Sequence, residues 1–285
     1  MEEPGSSRQP LQIIVRDDDV SALTAAALLA QLYAPLWNVD KPVCLFVVPL
    51  ASPQLVEPVP RISCRGAIPL PKNDNLCVFV NQAILSGHVE IGLHGLYHSP
   101  GEFRVSDRTM VAERLREAKT LIESVFPNAE LQTFVPPRED LSTVARDVVL
   151  ELGFNICAKS TALWPHSRLQ QWRYRLARRL AMPGFHNPVS CYGVRWLFPC
   201  DEYLFTVARA PERCLERARK MASFCRRMGR PLICVNHHWE FCGEGGVALL
   251  QAWHTFLAEV LGRDDVQFLT FNTYRTDRLS SGLGG

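Results

Sequence analysis

Three adjacent carboxylates, Asp17, Asp18 and Asp19, follow an apolar run and stand directly behind an arginine, Arg16. Acidic side chains at that density repel one another unless a cation neutralises them. Two imidazoles four residues apart, His94 and His98, offer a partner for such a cation. On a helical turn positions i and i+4 share one face, so both rings can reach one ion. Two histidines and one carboxylate form a facial set that leaves coordination positions open for water and substrate, as metal-assisted hydrolysis requires. Each feature alone has a plainer reading: an exposed helix start for the histidines, a helix cap at Asp19 or Ser21 for the acidic turn. Convergence of several such features separates chemistry from coincidence.

That convergence depends on the elements around them. Leu11 to Val15 reads as a short strand ending abruptly in the acidic residues, and Ala22 to Leu36 as a helix. Val43 to Val48 is a continuous apolar strand of the kind found in parallel sheets covered on both faces. Val89 to Leu93 is a strand running straight into His94. A helix capped by Ser106 follows to about Phe126, then a strand from Gln132 to Val135 leading into Pro136, Pro137 and Arg138. Leu141 to Leu152 is a helix stopped by Gly153, and Phe154 to Ala158 a strand. Tyr203 to Ala208 (strand), Pro211 to Met228 (helix), Leu232 to Asn236 (strand), Val247 to Leu261 (helix) and Val266 to Thr270 (strand) complete the chain. Strands alternate with helices over short connections, which predicts a single α/β domain with parallel strands, closed or nearly closed into a barrel. In a barrel the C-terminal strand ends share one mouth. Arg16 to Asp19, His94 and His98, Pro136 to Arg138, and His237 with His238 would all meet there.

Composition excludes several alternatives. With 285 residues, 47% of them hydrophobic and 21% charged, the chain can bury a sizeable core. A formal charge of +2 gives no general attraction to nucleic acid or an anionic membrane, and no apolar run approaches a membrane span. The polar, acidic start lacks a secretory leader, so the expected compartment is the cytoplasm. Ten scattered cysteines without a CxxC pair read as free thiols rather than a disulfide framework.

The ordered set of motifs resembles the NodB-homology polysaccharide deacetylases, a carbohydrate esterase family. Asp-Asp follows the first strand, then Glu90-Ile91-Gly92-Leu93-His94 with His98, then Phe134-Val135-Pro136-Pro137, then a late strand ending in histidine. The branch it is similar to has Arg-x-Asp-Asp as its first motif, and the likeness runs from about Ile13 to Phe271. It implies a distorted (β/α) barrel of about seven parallel strands over residues 11–275, with 1–10 and 276–285 as flexible termini. It also implies one divalent ion, zinc foremost, with cobalt, nickel, manganese or iron as alternatives, held by Asp19, His94 and His98. By family register Asp18 becomes the general base and His237 the acid that protonates the leaving amine, while the backbone N–H of Arg138 stabilises the oxyanion. The implied reaction is metal-dependent removal of an N-acetyl or similar acyl group from a small amino-sugar conjugate, at a carbon–nitrogen bond other than a peptide bond. Deformylation or another amide hydrolysis on the same barrel, and a barrel that only binds its ligand, are the rival readings.

The sequence also departs from that pattern. Val135 and Arg138 occupy places where the family carries an arginine and a tyrosine; Arg16 or Arg138 could take over that arginine's role of holding the catalytic aspartate. Asp17 competes with Asp18 for the role of base, and His238 with His237 for that of acid. Trp239, Pro137 and His238 are candidates for the rim or for support. The segment 168–179, with Arg168, Arg173, Arg175, Arg178 and Arg179, could form a basic lid or merely a solvated helix face.

Overall fold

The computed structural model describes residues 10–52, 66–163, 172, 189–192, 194–200 and 203–280. Its centre is a curled sheet of nine strands in the order β10-β1-β2-β5-β6-β7-β9-β8, with β11 paired to β1. The strands are β1 (Leu11–Val20), β2 (Val43–Val47), β5 (Val89–Leu93), β6 (Thr133–Phe134), β7 (Asn155–Ala158), β8 (Ser190–Tyr192), β9 (Arg195–Pro199), β10 (Leu232–His237) and β11 (Val266–Leu269). All pairings are parallel except that of β8 with β9, so eight strands run parallel among the described residues, one more than the seven or so expected. A separate two-residue ladder joins β3 (Leu50–Ala51) to β4 (Ile68–Pro69). Beyond β9, Tyr203 makes one isolated parallel bridge to Val235 of β10. The barrel is therefore a strongly curled, incompletely closed one.

The helices are α1 (Ala26–Trp37), α2 (Asp74–Leu85), α3 (Arg108–Val125), α4 (Thr143–Glu151), α5 (Ser160–Leu163), α6 (Pro211–Met228), α7 (Gly246–Leu261) and α8 (Phe271–Ser280). Strand parity sorts the core into two apolar compartments. Ile13 and Val15 of β1 face the helices with Leu29, Leu32 and Trp253. Ile14 faces inward with Cys44, Phe46, Phe198, Ile233 and Phe271. The inward compartment is filled by edge-to-face aromatic contacts, Phe46 to Phe271 at 5.7 Å and Phe198 to Phe271 at 4.9 Å. Gly92 makes this filling possible, because a Cβ there would stand 2.2 Å from the Phe46 ring.

Several expectations need correction. β1 does not stop at Val15 but carries the acidic residues within it to Val20, because its neighbours β10 and β2 go on pairing along it. Tyr203 to Ala208 is not a strand beyond its single bridge. After residue 163 the chain contributes the antiparallel β8–β9 pair, and before α2 the Asn73 side chain accepts the Leu76 N–H. Asp107, not Ser106, caps α3 by accepting from the Met110 N–H. The boundary at 275 falls inside α8, so residues 276–280 are helical rather than a flexible tail. The arginine-rich segment 168–179 lies outside the described residues apart from Trp172. No disulfide joins the nine described cysteines. No helix among the described residues is long and apolar enough to cross a membrane.

Candidate metal centre and active site

β1 brings its polar residues to the barrel mouth by alternation and then by a break in alternation. Arg16 and Asp18 share the inward face with Ile14, and in the parallel register Asp18 stands beside His237 of β10. Strict alternation would turn Asp19 outward. Instead Asp19 adopts φ 65°, and the pairing with β2 shifts register between Asp17 and Val20. This irregularity aims successive carboxylates at the same mouth, a common use of bulges beside functional sites.

Asp19 is 7% exposed, and its Oδ1 lies 3.2 Å from His94 Nε2 and 3.0 Å from His98 Nε2. Neither imidazole is aligned to donate to that oxygen, which is buried without a hydrogen bond. Three ligating atoms that approach closely without bonding one another point at a shared centre. Donors about 2.0–2.1 Å from one ion sit roughly 3.0–3.4 Å apart, so the two spacings from Asp19 Oδ1 fit those of metal ligands. Asp19, His94 and His98 are the one such cluster among the described residues. The second carboxylate oxygen, Oδ2, accepts the Trp239 indole N–H at 3.0 Å. His94 Nδ1 lies 2.9 Å from the Val135 carbonyl. A carbonyl only accepts, so Nδ1 carries the proton and Nε2 keeps its lone pair for a ligand. Burial pushes the Asp19 carboxyl up, but the neighbouring imidazoles of His94, His98 and His237 hold it well below the usual carboxylate range.

The histidine pair does not sit on a helical turn. His94 to His98 is a loop, with Gly95 at φ 76° and His98 at φ 57°. The rings still converge, their centroids 4.8 Å apart.

Asp18 is clamped by Arg16, whose Nε and terminal nitrogen donate to its two oxygens at 2.7 and 2.5 Å. Arg16 also donates to Glu139 Oε1 at 3.0 Å and to Cys157 Sγ at 3.4 Å, and lies over the Phe46 ring. Of the two arginines that could hold this aspartate, Arg16 does so. Arg138 is exposed, at φ 56° in a short turn after Pro136 and Pro137. Burial raises the Asp18 pKa, while the charges of Arg16 and His94 more than offset it and leave the group lowered.

Asp17 faces the opposite way. It accepts the Tyr33 hydroxyl at 2.5 Å, and the His238 backbone N–H and Nδ1 at 3.2 and 3.0 Å. His238 Nε2 lies 3.0 Å from Thr24 Oγ1, so this histidine is spent on a buried network behind the mouth. His237 remains at the mouth, 22% exposed, with Nε2 3.8 Å from Asp19 Oδ2 and Nδ1 without a partner. Tyr203 and Trp239 flank its ring at 5.0 and 5.4 Å. Tyr203 in turn hydrogen-bonds Glu240, which also accepts the Val207 N–H at 2.6 Å.

Glu139, Glu102, Tyr33 and Tyr203 escaped the sequence reading. Glu139 had a visible cue, a carboxylate one residue past the Pro-Pro-Arg turn. The others serve partners that sequence spacing does not reveal.

Comparison of the whole structure decides the fold. It superposes on a protein from Mycobacterium smegmatis assigned to the polysaccharide deacetylases with a TM-score of 0.63 and 14% identity, covering 99% of this chain and 94% of that one. The chain has the polysaccharide deacetylase fold. A family 4 acetyl xylan esterase from Clostridium thermocellum, in complex with a cobalt ion, matches with a TM-score of 0.55 and 13% identity over 94% of this chain and 91% of its own. A mutant, with restored enzymatic activity, of a CE4 family pseudoenzyme from Bacillus anthracis matches at 0.51 and 11% over 93% of this chain and 66% of its own. No family model matches the sequence, and no curated protein does. The deacetylase fold accounts for the shared mouth; the residues standing in it here must carry any argument about chemistry.

Proposed function

We propose that the chain is a metal-dependent amidohydrolase that removes an N-acetyl or similar acyl group from an amino-sugar-containing substrate. The observation that carries this reading is the unbonded Asp19 Oδ1 facing two imidazole Nε2 atoms at 3.0–3.2 Å, next to an Arg16-clamped Asp18. A divalent ion bound there, zinc first among candidates, supplies Lewis acidity toward water and an acyl oxygen.

Asp18, kept ionised by Arg16, accepts the proton from attacking water. His237, the partly exposed histidine at the mouth, donates a proton to the departing nitrogen. The backbone N–H of Arg138, placed after the buried Pro137, is the donor proposed for the acyl oxyanion. Arg16, Asp17 and His238 hold these groups in place without touching substrate, and Trp239 holds the metal-binding carboxylate while its exposed edge borders the mouth. The names of the structural relatives, polysaccharide deacetylase and acetyl xylan esterase, support an acetylated carbohydrate; the amide bond of an amino sugar is the proposal's own choice, resting on the motif resemblance.

The test is acetate release from acetylated amino sugars by the metal-loaded chain, comparing wild type with Asp18→Asn. We expect turnover in wild type, and a loss of at least about 100-fold in the variant with one metal per chain retained. Formate release in place of acetate would assign deformylation, and metal binding without any turnover would assign a binding protein.

A further inference from the structure

One buried carboxylate organises the loop between the two histidines. Glu102 is 3% exposed and accepts the Leu96 N–H at 2.7 Å, the Tyr97 N–H at 3.3 Å and the Ser99 N–H at 3.1 Å. Its own carbonyl accepts from Arg114 of α3 at 2.5 Å, so the clamp is anchored to a long helix. The bound amides belong to residues on either side of His98, which itself holds a left-handed conformation. His94 is fixed separately, through β5 and the Val135 carbonyl. Gly95 closes the arrangement: a Cβ there would stand 2.5 Å from Pro137 Cγ and 3.1 Å from Glu102 Oε2.

Hydrogen bonds from backbone amides to a buried carboxylate are charge-assisted, among the stronger kinds. Without such an acceptor, several loop amides would lose their partner and residues 95–99 would sample other conformations. Metal affinity falls in proportion to the fraction of chains that hold both rings in place. We infer that Glu102 is a positioning residue that forms the His94–His98 loop in advance, delivering His98 Nε2 to Asp19 before an ion binds. This rests on the metal reading of Asp19, His94 and His98.

The test uses the full chain and the Glu102→Gln variant, which keeps the shape and removes the charge and one acceptor oxygen. Three quantities are read: zinc affinity by chelator competition, the visible spectrum of the cobalt(II) form, and amide hydrogen exchange of the metal-free protein. We expect zinc affinity to fall roughly 10–100-fold, with an altered cobalt spectrum. In metal-free wild type the amides of Leu96, Tyr97 and Ser99 should be protected, and in the variant they should exchange faster. A merely structural residue would shift the thermal midpoint and leave the cobalt spectrum of the folded variant unchanged. If Glu102→Gln does not fold, Gly95→Ala drives a methyl against the same clamp, and the exchange measurement on wild type stands by itself. Equal zinc affinity and identical spectra in wild type and variant, or unprotected loop amides in metal-free wild type, overturn the inference. Wild type that binds no zinc, though its loop amides are protected, overturns the metal reading and this role with it.

Discussion

The Arg16–Asp18 pair offers the sharpest energetic test of the site. The guanidinium is 1% exposed and Asp18 4%, so solvent screens neither. Arg16→Met keeps the length of the side chain but strands two carboxylates, Asp18 and Glu139, in a poorly solvated pocket. Removing one partner of a buried ion pair costs about 3–5 kcal/mol. Asp18→Asn is gentler, because Arg16 retains Glu139 at 3.0 Å, and should cost about 1.5–3 kcal/mol, as for a hydrogen bond to a charged group. In the double variant the stranded charge at position 18 no longer exists. Its loss of stability should fall short of the sum of the singles by roughly 1.5–3 kcal/mol. Urea unfolding of the metal-free proteins at neutral pH measures all three. At roughly 2–4 °C per kcal/mol, the midpoint of Arg16→Met should drop by roughly 6–20 °C. The pair also sets a pH signature. The folded pKa of Asp18 is depressed, so its contribution is present above the unfolded value of about 3.9 and lost as pH falls through the folded value. The gap between wild type and Arg16→Met should therefore narrow below about pH 4. Additivity within about 0.5 kcal/mol, or a cost below about 1 kcal/mol for Arg16→Met, would refute the clamp.

Trp239→Phe removes the indole N–H from Asp19 Oδ2 while keeping an aromatic ring at the rim. Zinc affinity should fall roughly 10-fold or more with little change in thermal midpoint, and unchanged affinity by chelator competition would remove this support role. Elemental analysis should find about one ion per chain in wild type and none in the His94→Ala/His98→Ala double variant; about one ion per chain in that variant would place the metal elsewhere. At the far end of β5, burial raises the Glu90 carboxyl to about 7 although it accepts the Asn272 N–H at 3.0 Å. A raised carboxyl contributes its stability below the unfolded value and loses it as pH rises through the folded one, so wild type should weaken by up to about 3 kcal/mol between pH 4.5 and 8. Glu90→Gln should lack that decline, and parallel stability profiles for the two proteins would contradict the assignment.

What the sequence discloses about this site follows a physical division. Strand parity is local, so the alternation that sends Ile13 and Val15 to the helices also sends Asp17 there, and Asp17 meets Tyr33 and His238 accordingly. The same rule pairs Asp18 with His237 on one face and Asp17 with Asn236 on the other, which separates the two histidines as well as the two aspartates. Asp19 breaks the rule, and nothing in its residue type announces the φ of 65° that turns it inward. His94 and His98 were legible as a set although the helical turn invoked to join them is absent. A metal set requires only that ligand atoms converge, and a loop held by Glu102 achieves the convergence that four-residue helical spacing would also give. The contacts of Glu139 and Tyr203 were not legible because each acts on a partner far along the chain: Glu139 on Arg16 across 123 positions, Tyr203 on Glu240 across 37. In a barrel the strand ends are gathered by closure rather than by sequence proximity. Residue types at those ends can therefore be read from the sequence, but the hydrogen bonds that fix their roles exist only once the sheet has curled.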